Sequence, residues 1–325
     1  MRKTNNPLNI FSSNIKPLQV KLLRGEITES IHNVHAVVSD TKGRVLMYAG
    51  NPYYETFIRS AFKPFQVLPF ISSGTCQTLK CGDKALAIAS GSHVGSTLHA
   101  RESFKLLWNS DIEVSALKCP VPQDKKSKLQ HNCSGKHAAF LATCKKMNWP
   151  QENYLDKNHP IQQEIFRRVS ELLNSPSEEL IKSKDDCGAP TLFMQINQMA
   201  NLYAKLSGSI DPELEQINRA MVKNPELVCG KGGFDTELMN RAHGQIVSKG
   251  GSEGIQCIGR NREGLGIAIK VEDGSKRAKH AVAIHLLKQL EWVTPTGLDE
   301  LEASTIKLSP SVKIEVIGEL GFQEN

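Results

Sequence analysis

The first strong pattern along the chain is an alternation of apolar and polar residues in HAVVSDTKGRVLMYAG, residues 35–50. This alternation predicts two short strands joined by a turn at 40–43, which is a hairpin. Strand patterns return in 244–274, and 311–320 is typical of an edge strand. The segments between them have the period of helices, and we predict helices in 55–74, 83–96, 97–111, 133–148, 159–174, 189–206, 212–224 and 275–292.

The order of these elements is a strand pair, many helices, further strands and a final strong helix. This order predicts the α+β class, with an antiparallel sheet built from N-terminal and C-terminal strands, packed helices and an inserted helical region. A chain of 325 residues can bury a substantial core. It contains no visible repeat or long linker, so we predict a polar lead-in over 1–18 and a single domain over 19–325.

Composition excludes some classes of partner. The chain has 40 Lys and Arg against 34 Asp and Glu, but these charges are spread along its length. The densest basic run, QDKKSK, has no interleaved aromatic residue, so we expect a solvated loop and no nucleic-acid partner. No apolar run approaches the roughly 20 residues that span a bilayer, and no apolar signal core is present. We therefore expect no membrane partner, a cytoplasmic location and reduced thiols at the eight cysteines.

The segment ETFIRSAFKPFQVLPFISSG, residues 55–74, contains Ser60 and Lys63 in an S-x-x-K arrangement. If a helix begins just after Ser60, Pro64 falls in its first turn and Lys63 faces the same side as Ser60. A serine hydroxyl becomes a nucleophile when a base takes its proton, and a lysine can do so only when its amine is neutral. Burial beside another cation favours that neutral form. The alternative is an N-cap serine and a lysine whose amine reaches solvent.

Three further segments carry side chains suited to the same chemistry. SGSHVGSTLHA places Ser92 and His93 in one Gly/Ser-rich bend. VSKGGSEG places Lys249 on a strand beside glycines that let a substrate approach the backbone. GLGIAIKVEDGSKRA ends a strand with Lys270, and alternation puts Lys270 on the same face as Ala268. The alternative interpretation is a set of surface lysines and turn glycines.

Two of the cysteines have neighbours that suit a metal site. HNCSGKHAAF contains Cys133 with Lys136 and His137, and KDDCGAPT contains Asp185 and Cys187. One helical turn separates Cys133 from Lys136, so both side chains can address one point. A zinc ion binds thiolates and nitrogen ligands, with water in an open position. The alternative is two buried free thiols.

Seven segments, in this order along the chain, resemble one enzyme family, the Rhizobium-type L-asparaginases, also called class 3 or asparaginase II. They are RSAFKPFQ, SHVGSTLH, HNCSGKHAAFL, NYLDKNHPIQ, DDCGAPT, SKGGSEG and LGIAIKVEDGSKRA. The resemblance covers roughly residues 20–320 and implies a serine β-lactamase-like fold, a single catalytic domain and a homodimer. The chain departs from the family pattern at Ser96, where an acidic residue is expected, and in SKGGSEG, where a glycine replaces the usual threonine or alanine.

The resemblance also implies roles for the matching residues. Ser60 is the expected nucleophile with Lys63 as its base, and Ser92 and Lys270 complete a second Ser–Lys pair. A zinc ion that orders the pocket and helps to hold the charged end of the substrate is the expected cofactor, with three protein ligands and water. Those ligands are Cys133, Lys136 and Cys187. The residues expected beside the substrate are Arg59, His93, His137, Asp185 and Lys249.

The reaction that the resemblance implies is hydrolysis of L-asparagine to L-aspartate and ammonia through an acyl-Ser60 intermediate. Backbone amides are expected to stabilise the oxyanion. One alternative is a glutaminase or other amidase on the same fold, which a comparison of amide substrates distinguishes. The other is a non-catalytic sensor of the ligand or of zinc, which binds asparagine without turning it over.

Overall fold

The structure, a computed structural model, describes residues 16–323. Its strands are β1 (Leu18–Arg24), β2 (Ile27–Asp40), β3 (Val45–Ala49), β4 (Glu55–Phe57), β5 (Ile181–Lys184), β6 (Pro190–Gln195), β7 (Ile246–Gly250), β8 (Ile255–Arg260), β9 (Leu265–Val271), β10 (Val312–Ile317) and β11 (Gly321–Phe322). Its α-helices are α1 (Lys63–Gln66), α2 (Leu68–Ser72), α3 (Thr75–Thr78), α4 (Asp83–Ser90), α5 (Thr97–Asn109), α6 (Ser134–Lys146), α7 (Pro160–Leu173), α8 (Ile196–Ser207), α9 (Pro212–Lys223), α10 (Pro225–Cys229), α11 (Phe234–Arg241), α12 (Lys276–Gln289) and α13 (Pro295–Thr305). Short 3-10 helices lie at Arg59–Phe62, Val114–Ala116 and Lys128–Gln130.

The centre of the fold is an antiparallel sheet built from strands at both ends of the described chain. Its order is β10-β1-β2-β9-β8-β7, with β3 paired to β2 and β11 paired to β3. The long strand β2 is central, because it pairs with β1 and then β3 along one edge and with β9 along the other. The predicted hairpin is therefore β2–β3, and the strand predicted in 311–320 is the edge strand β10. Strand β7 forms the opposite edge.

Helices cover both faces of this sheet. Helices α11, α12 and α13 pack on the face that carries Ile258, Ile267 and Ile269. The helices inserted between β3 and α11 pack on the other face, which carries Val37 and Ala268. The insertion also holds a small sheet in the order β4-β6-β5. The predicted α+β class and its inserted helical region are confirmed.

Helix α8 lies directly against strands β8 and β9, because both strands have a glycine at the contact. Gly259 and Gly266 are paired across the two strands. A Cβ atom at Gly266 would lie 2.0 Å from the carbonyl oxygen of Ala200, and one at Gly259 would lie 2.7 Å from that of Tyr203. The glycine pair thus sets how closely the helical region approaches the sheet.

The helix predicted for 189–206 is wrong in its first part. Residues Pro190–Gln195 form strand β6, which pairs with β4 and β5, and the helix begins at Ile196. A short apolar run does not distinguish a strand from a buried helix by its periodicity. The strand partners that decide the outcome are distant in sequence, so the pattern alone could not show them.

The segment 55–74 is less regular than the single helix predicted for it. Strand β4 opens the segment, and the 3-10 helix Arg59–Phe62 follows before α1 and α2. Pro64 and Pro69 each lie in the first turn of a short helix. Because proline lacks an N–H group, it is tolerated there but interrupts a longer helix. Pro64 therefore lies in a first turn, as predicted, and Lys63 begins α1.

The predicted lead-in, 1–18, mostly concerns residues 1–15, which lie outside the described residues. Strand β1 already begins at Leu18. Among residues 16–323, no helix combines the length and apolar character that crossing a membrane requires.

The glycine contact beneath α8 gives a prediction about stability. We expect Gly266→Ala to destabilise the protein by about 3 kcal/mol, at the upper end of overpacking costs, because the added methyl group meets helix backbone rather than a flexible side chain. Urea unfolding with fluorescence detection measures the change. Gly82→Ala is the matched control, since a Cβ atom there meets nothing within 4 Å. Equal unfolding midpoints for the two variants would contradict the prediction.

Candidate active site

Ser60 lies in the 3-10 helix that connects β4 to α1, and its side chain is half-buried. The residue before it, Arg59, has a φ angle of +52°, which is unusual for a residue other than glycine. Such left-handed positions often occur where a functional side chain must be presented. The N-cap residue of this 3-10 helix is Ile58, and that of α1 is Phe62. Ser60 is therefore not an N-cap serine, which was the alternative interpretation of the sequence.

Lys63 is completely buried, so its amine does not reach solvent as the alternative interpretation requires. Its Nζ atom donates to the carbonyl oxygens of Gly91 at 2.7 Å and Asn132 at 3.0 Å, and to Ser92 Oγ at 2.8 Å. No carboxylate contacts this amine among the described residues. Burial, reinforced by the charge of Lys249, lowers the pKa of Lys63 to about 8 although the Cys133 thiol opposes that shift. The amine can therefore be neutral near physiological pH.

A cavity of about 360 Å³ lies in front of these side chains. The residues that line it include Ser60, Ser92, Asn132 and Lys249, together with Asp235 and part of α12. This volume lies near the lower limit for small-molecule pockets. The cavity is thus suited to a small polar substrate.

Lys249 reaches the cavity because its strand, β7, is the edge of the main sheet. It shares a row across the sheet with Cys257 and Ala268, on the face that the inserted helices cover. Its Nζ atom donates to the carbonyl oxygen of Gly250 at 2.6 Å, and its side chain is only 1% exposed. Burial lowers the pKa of Lys249, although the nearby carboxylate of Asp235 opposes that shift.

Lys270 lies on strand β9, two strands away from the edge, and does not line the cavity. It shares a face with Ala268, as alternation predicts, but its Nζ atom donates to the carbonyl oxygen of Glu253 at 2.6 Å. Adjacent strands are about 4.8 Å apart, so β9 is roughly 10 Å from β7. Ser92 Oγ accepts from Lys63 Nζ, and no hydrogen bond joins Ser92 to Lys270 among the described residues.

Arg59 and Asp185, both expected beside the substrate, contact each other instead. Arg59 Nε donates to Asp185 Oδ1 at 2.8 Å, and Nη2 donates to Asp186 Oδ2 at 2.6 Å. Neither Arg59 nor Asp185 lines the cavity. Their ion pair fixes the loop before Cys187 against the residue that precedes Ser60, so it connects the two parts of the site.

His93 is likewise occupied by local contacts. Its Nδ1 atom accepts a hydrogen bond from the backbone N–H of Gly95, so Nε2 carries the proton and donates to Ser134 Oγ at 3.1 Å. The ring stacks on His99 at 4.7 Å. Ser96, the position where an acidic residue was expected, accepts from the backbone N–H of His99 and caps α5. This bend is therefore a rigid support for Ser92.

The side chains of Cys133, Lys136 and Cys187 meet at the start of α6. Lys136 Nζ donates to Cys187 Sγ at 3.4 Å, and Cys133 Sγ donates to Asn132 Oδ1 at 3.1 Å. The neighbouring Cys133 thiol and the charge of Lys136 lower the pKa of Cys187, whereas Cys187 and burial raise the pKa of Cys133. Burial opposes the charged form of Lys136, but the Cys187 thiolate outweighs it and raises the pKa of Lys136.

His137 lies beside this cluster and is fully buried. Tyr154 accepts a hydrogen bond from the backbone N–H of Lys118 and lies 2.7 Å from His137 Nδ1. The other ring nitrogen, Nε2, is close to Cys187 and makes no hydrogen bond of normal geometry. An orphaned buried nitrogen beside two thiols and an amine is chemistry that a zinc ion accepts. No three His, Cys, Asp or Glu side chains of residues 16–323 form a metal-binding group, so a three-ligand site needs the lysine.

Several residues of the site were not identified from the sequence. Asn132 precedes Cys133 in a quoted segment, and its carbonyl oxygen holds Lys63. Asp235, Gln256 and Lys279 also line the cavity. Nothing in their local sequence identifies them, because α11, β8 and α12, which carry them, are brought together only by tertiary packing.

Comparison with solved structures gives distant similarities. Mglu in its native form has a TM-score of 0.47 and 12% identity, and the match covers 79% of this chain and 64% of that one. A β-lactamase from Mycobacterium bovis has a TM-score of 0.36 and 9% identity, with 80% and 95% covered. A β-lactamase-like protein from Bacteroides dorei has a TM-score of 0.36 and 10% identity, with 90% and 94% covered.

Comparison of the sequence itself gives a family. Among curated proteins none matches the chain. The family model described as L-asparaginase II matches residues 20–322, which include all the side chains of the site described above. The chain belongs to the L-asparaginase II family, a family of amide-hydrolysing enzymes.

Proposed function

We propose that this protein hydrolyses L-asparagine to L-aspartate and ammonia, with Ser60 as the nucleophile. The observation that supports it most is the small cavity in which Ser60, Ser92 and Lys249 meet, backed by the buried amine of Lys63. A hydroxyl nucleophile with a neutral amine near it is the arrangement that covalent amide hydrolysis needs. Family membership supports the same reaction class.

In the first step, the Ser60 hydroxyl oxygen forms a bond to the side-chain amide carbon of the substrate. Lys63, as the neutral amine, accepts the hydroxyl proton, and the hydroxyl of Ser92 relays it, since Lys63 Nζ and Ser92 Oγ are in contact. The protonated Lys63 then donates to the leaving nitrogen, and ammonia departs as the C–N bond breaks. Backbone N–H groups at the start of the helix that carries Ser60 stabilise the oxyanion.

The second step returns the enzyme to its starting state. Water adds to the acyl-Ser60 ester, and the Lys63 amine takes its proton. The ester bond then breaks as Lys63 returns that proton to the Ser60 oxygen, which releases L-aspartate. Lys249 supplies positive charge beside the reacting carbonyl, because it lines the cavity whereas Lys270 does not. In this proposal Lys249 thus replaces Lys270 as the second lysine of the site.

A zinc ion would be held by Cys133, Lys136 and Cys187. Bound there, it would neutralise the thiolates and hold the loop that carries Cys187 against α6. Because Arg59 pairs with Asp185, a shift of this loop would also move the residue that precedes Ser60. Because Lys136 must lose its proton to bind a metal, zinc binding should release protons and weaken at acid pH.

The nucleophile gives a direct prediction. Ser60→Ala should lower kcat/KM for L-asparagine by at least about 10³-fold, because the acyl intermediate cannot form. Ammonia release from asparagine and glutamine measures the loss and also the substrate preference. Ser252→Ala removes a different hydroxyl from the same cavity and should retain activity within a few-fold. Normal ammonia release by Ser60→Ala would remove Ser60 from the role of nucleophile.

The state of Lys63 gives a prediction about pH. Its folded-state pKa is lowered to about 8, so the amine is protonated below that pH and cannot accept a proton. We expect kcat/KM to rise about tenfold per pH unit below pH 8 and to level off above it. Steady-state rates measured from about pH 5.5 to about pH 9.5 give the profile. A rate that stays constant or falls across this range would exclude Lys63 as the base.

The metal ligands give a prediction about composition. Cys133→Ser and Cys187→Ser should each lose most of the zinc that the wild-type protein retains after dialysis, because zinc binds thiolate far better than hydroxyl. Elemental analysis of the purified proteins measures the metal. Cys144→Ser is the matched control, since Cys144 is also buried on α6 but is not a ligand in this proposal. Equal zinc in all four proteins contradicts the ligand assignment.

A further inference from the structure

Lys279 is a buried lysine for which the proposed reaction has no use. It lies on α12, and only 7% of it is exposed. Its Nζ atom donates to the carbonyl oxygen of Gly251 at 3.1 Å. Within residues 16–323 no carboxylate lies at ion-pair distance from this amine. An amine has three donor positions when charged, and a buried charge is normally paired.

The carboxylate of Asp235 does not form an ion pair with Lys279, and its two oxygens already accept three hydrogen bonds. Asp235 Oδ1 accepts from Ser248 Oγ and from Gln256 Nε2, both at 2.7 Å. Asp235 Oδ2 accepts from the backbone N–H of Gly250 at 2.8 Å. Asp235 therefore fastens the edge strand β7, and its charge reaches Lys279 without a direct contact.

Lys279 and Ser60 line the same cavity. Gly251 lies between them: its carbonyl oxygen accepts from Lys279, and a Cβ atom there would lie 3.0 Å from the carbonyl oxygen of Ile58, two residues before Ser60. Gly250 is also needed, since a Cβ atom there would lie 3.1 Å from Lys279 Nζ. The two glycines therefore leave room for the amine beside the edge strand.

The charges around the cavity leave an excess of positive charge. Lys249 and Lys279 lie in its walls with Asp235 as the one buried carboxylate among its lining residues, and Lys63 lies just behind. Burial lowers the pKa of Lys279, with Asp235 opposing that shift. An anionic group of a ligand would supply the missing negative charge and stabilise the charged amine.

We propose that Lys279 binds the α-carboxylate of the amino-acid substrate and thereby selects amino-acid amides over amides that lack this carboxylate. The proposal rests on the proposed function in that it concerns the substrate of the same cavity. Ser60 attacks the side-chain amide at one side, and Lys279 holds the carboxylate at the other. The stacked rings of Phe234 and His280, 4.3 Å apart, form the adjoining wall.

Two simple amides test this assignment. Succinamate keeps the carboxylate of asparagine but lacks its ammonium group, and 3-aminopropanamide keeps the ammonium group but lacks the carboxylate. The variant is Lys279→Met, which preserves the length and apolar stem of the side chain. Lys279→Arg keeps the charge, and Lys288→Met is the matched control, because Lys288 lies on the same helix with an exposed side chain and does not line the cavity.

For Lys279→Met we expect kcat/KM for L-asparagine and succinamate to fall by about 10²-fold or more, as loss of a buried charged contact predicts. The value for 3-aminopropanamide should change by less than about threefold, since that amide has no carboxylate to lose. Lys288→Met should change each value by less than about threefold, because an exposed charge outside the cavity contributes little. Lys279→Arg should recover part of the lost activity.

Binding of succinamate, measured by calorimetry on Ser60→Ala protein with and without Lys279→Met, separates this proposal from the proposed function. Weaker binding with Lys279→Met supports the carboxylate site even if the wild-type protein releases no ammonia. Unchanged binding overturns it even if asparagine is hydrolysed. An equal loss of activity on all three amides, with an unchanged melting temperature, also overturns it. If Lys279→Met does not fold, the same comparison is made with Lys279→Gln.

Discussion

The burial of several lysine amines around one small cavity is the constraint on which the site depends. Four of these side chains are at most 7% exposed, namely Lys63, Lys136, Lys249 and Lys279. Removing an ammonium group from water is costly, so each amine must find acceptors, find an anion, or lose its proton. Lys63 has two carbonyl oxygens and a hydroxyl, and Lys136 has a thiolate. The hydroxyl and the thiolate that compensate these amines also belong to the proposed catalytic and metal sites.

The edge of the main sheet explains why these groups meet. Strand β7 has no strand partner on its outer side in the described structure, so the backbone groups at its end are free to bind side chains or a ligand. Asp235 accepts from the outward N–H of Gly250, and the carbonyl oxygen of Gly251 accepts from Lys279. The same glycine approaches the carbonyl oxygen of Ile58, which holds the Ser60 segment beside the strand. A central strand could not serve in this way, because hydrogen bonds to both neighbours would occupy its backbone.

Much of the fold followed from local patterns, and the errors have a common cause. The hairpin, the edge strand β10 and the amphipathic helices were predicted correctly because alternation and helical period are properties of neighbouring residues. Strand β6 was mistaken for helix, since its partners β4 and β5 are far away in sequence. Strand order likewise separates the two predicted lysines, Lys249 and Lys270. Both lysines face the inserted helices, but only strand order places one of them at the edge.

The sequence by itself determined the residue types of the site, the α+β order of elements and the family to which the chain belongs. These depend on composition and spacing, which are local. The tertiary structure alone decided that Lys63 contacts Ser92, that Arg59 pairs with Asp185, and that Lys279 faces the cavity without a carboxylate partner. The contacts of these side chains join residues from 28 to 126 positions apart in the chain. Their energies depend on burial and on the charges that packing brings near, and neither quantity is set by the spacing of residues along the chain.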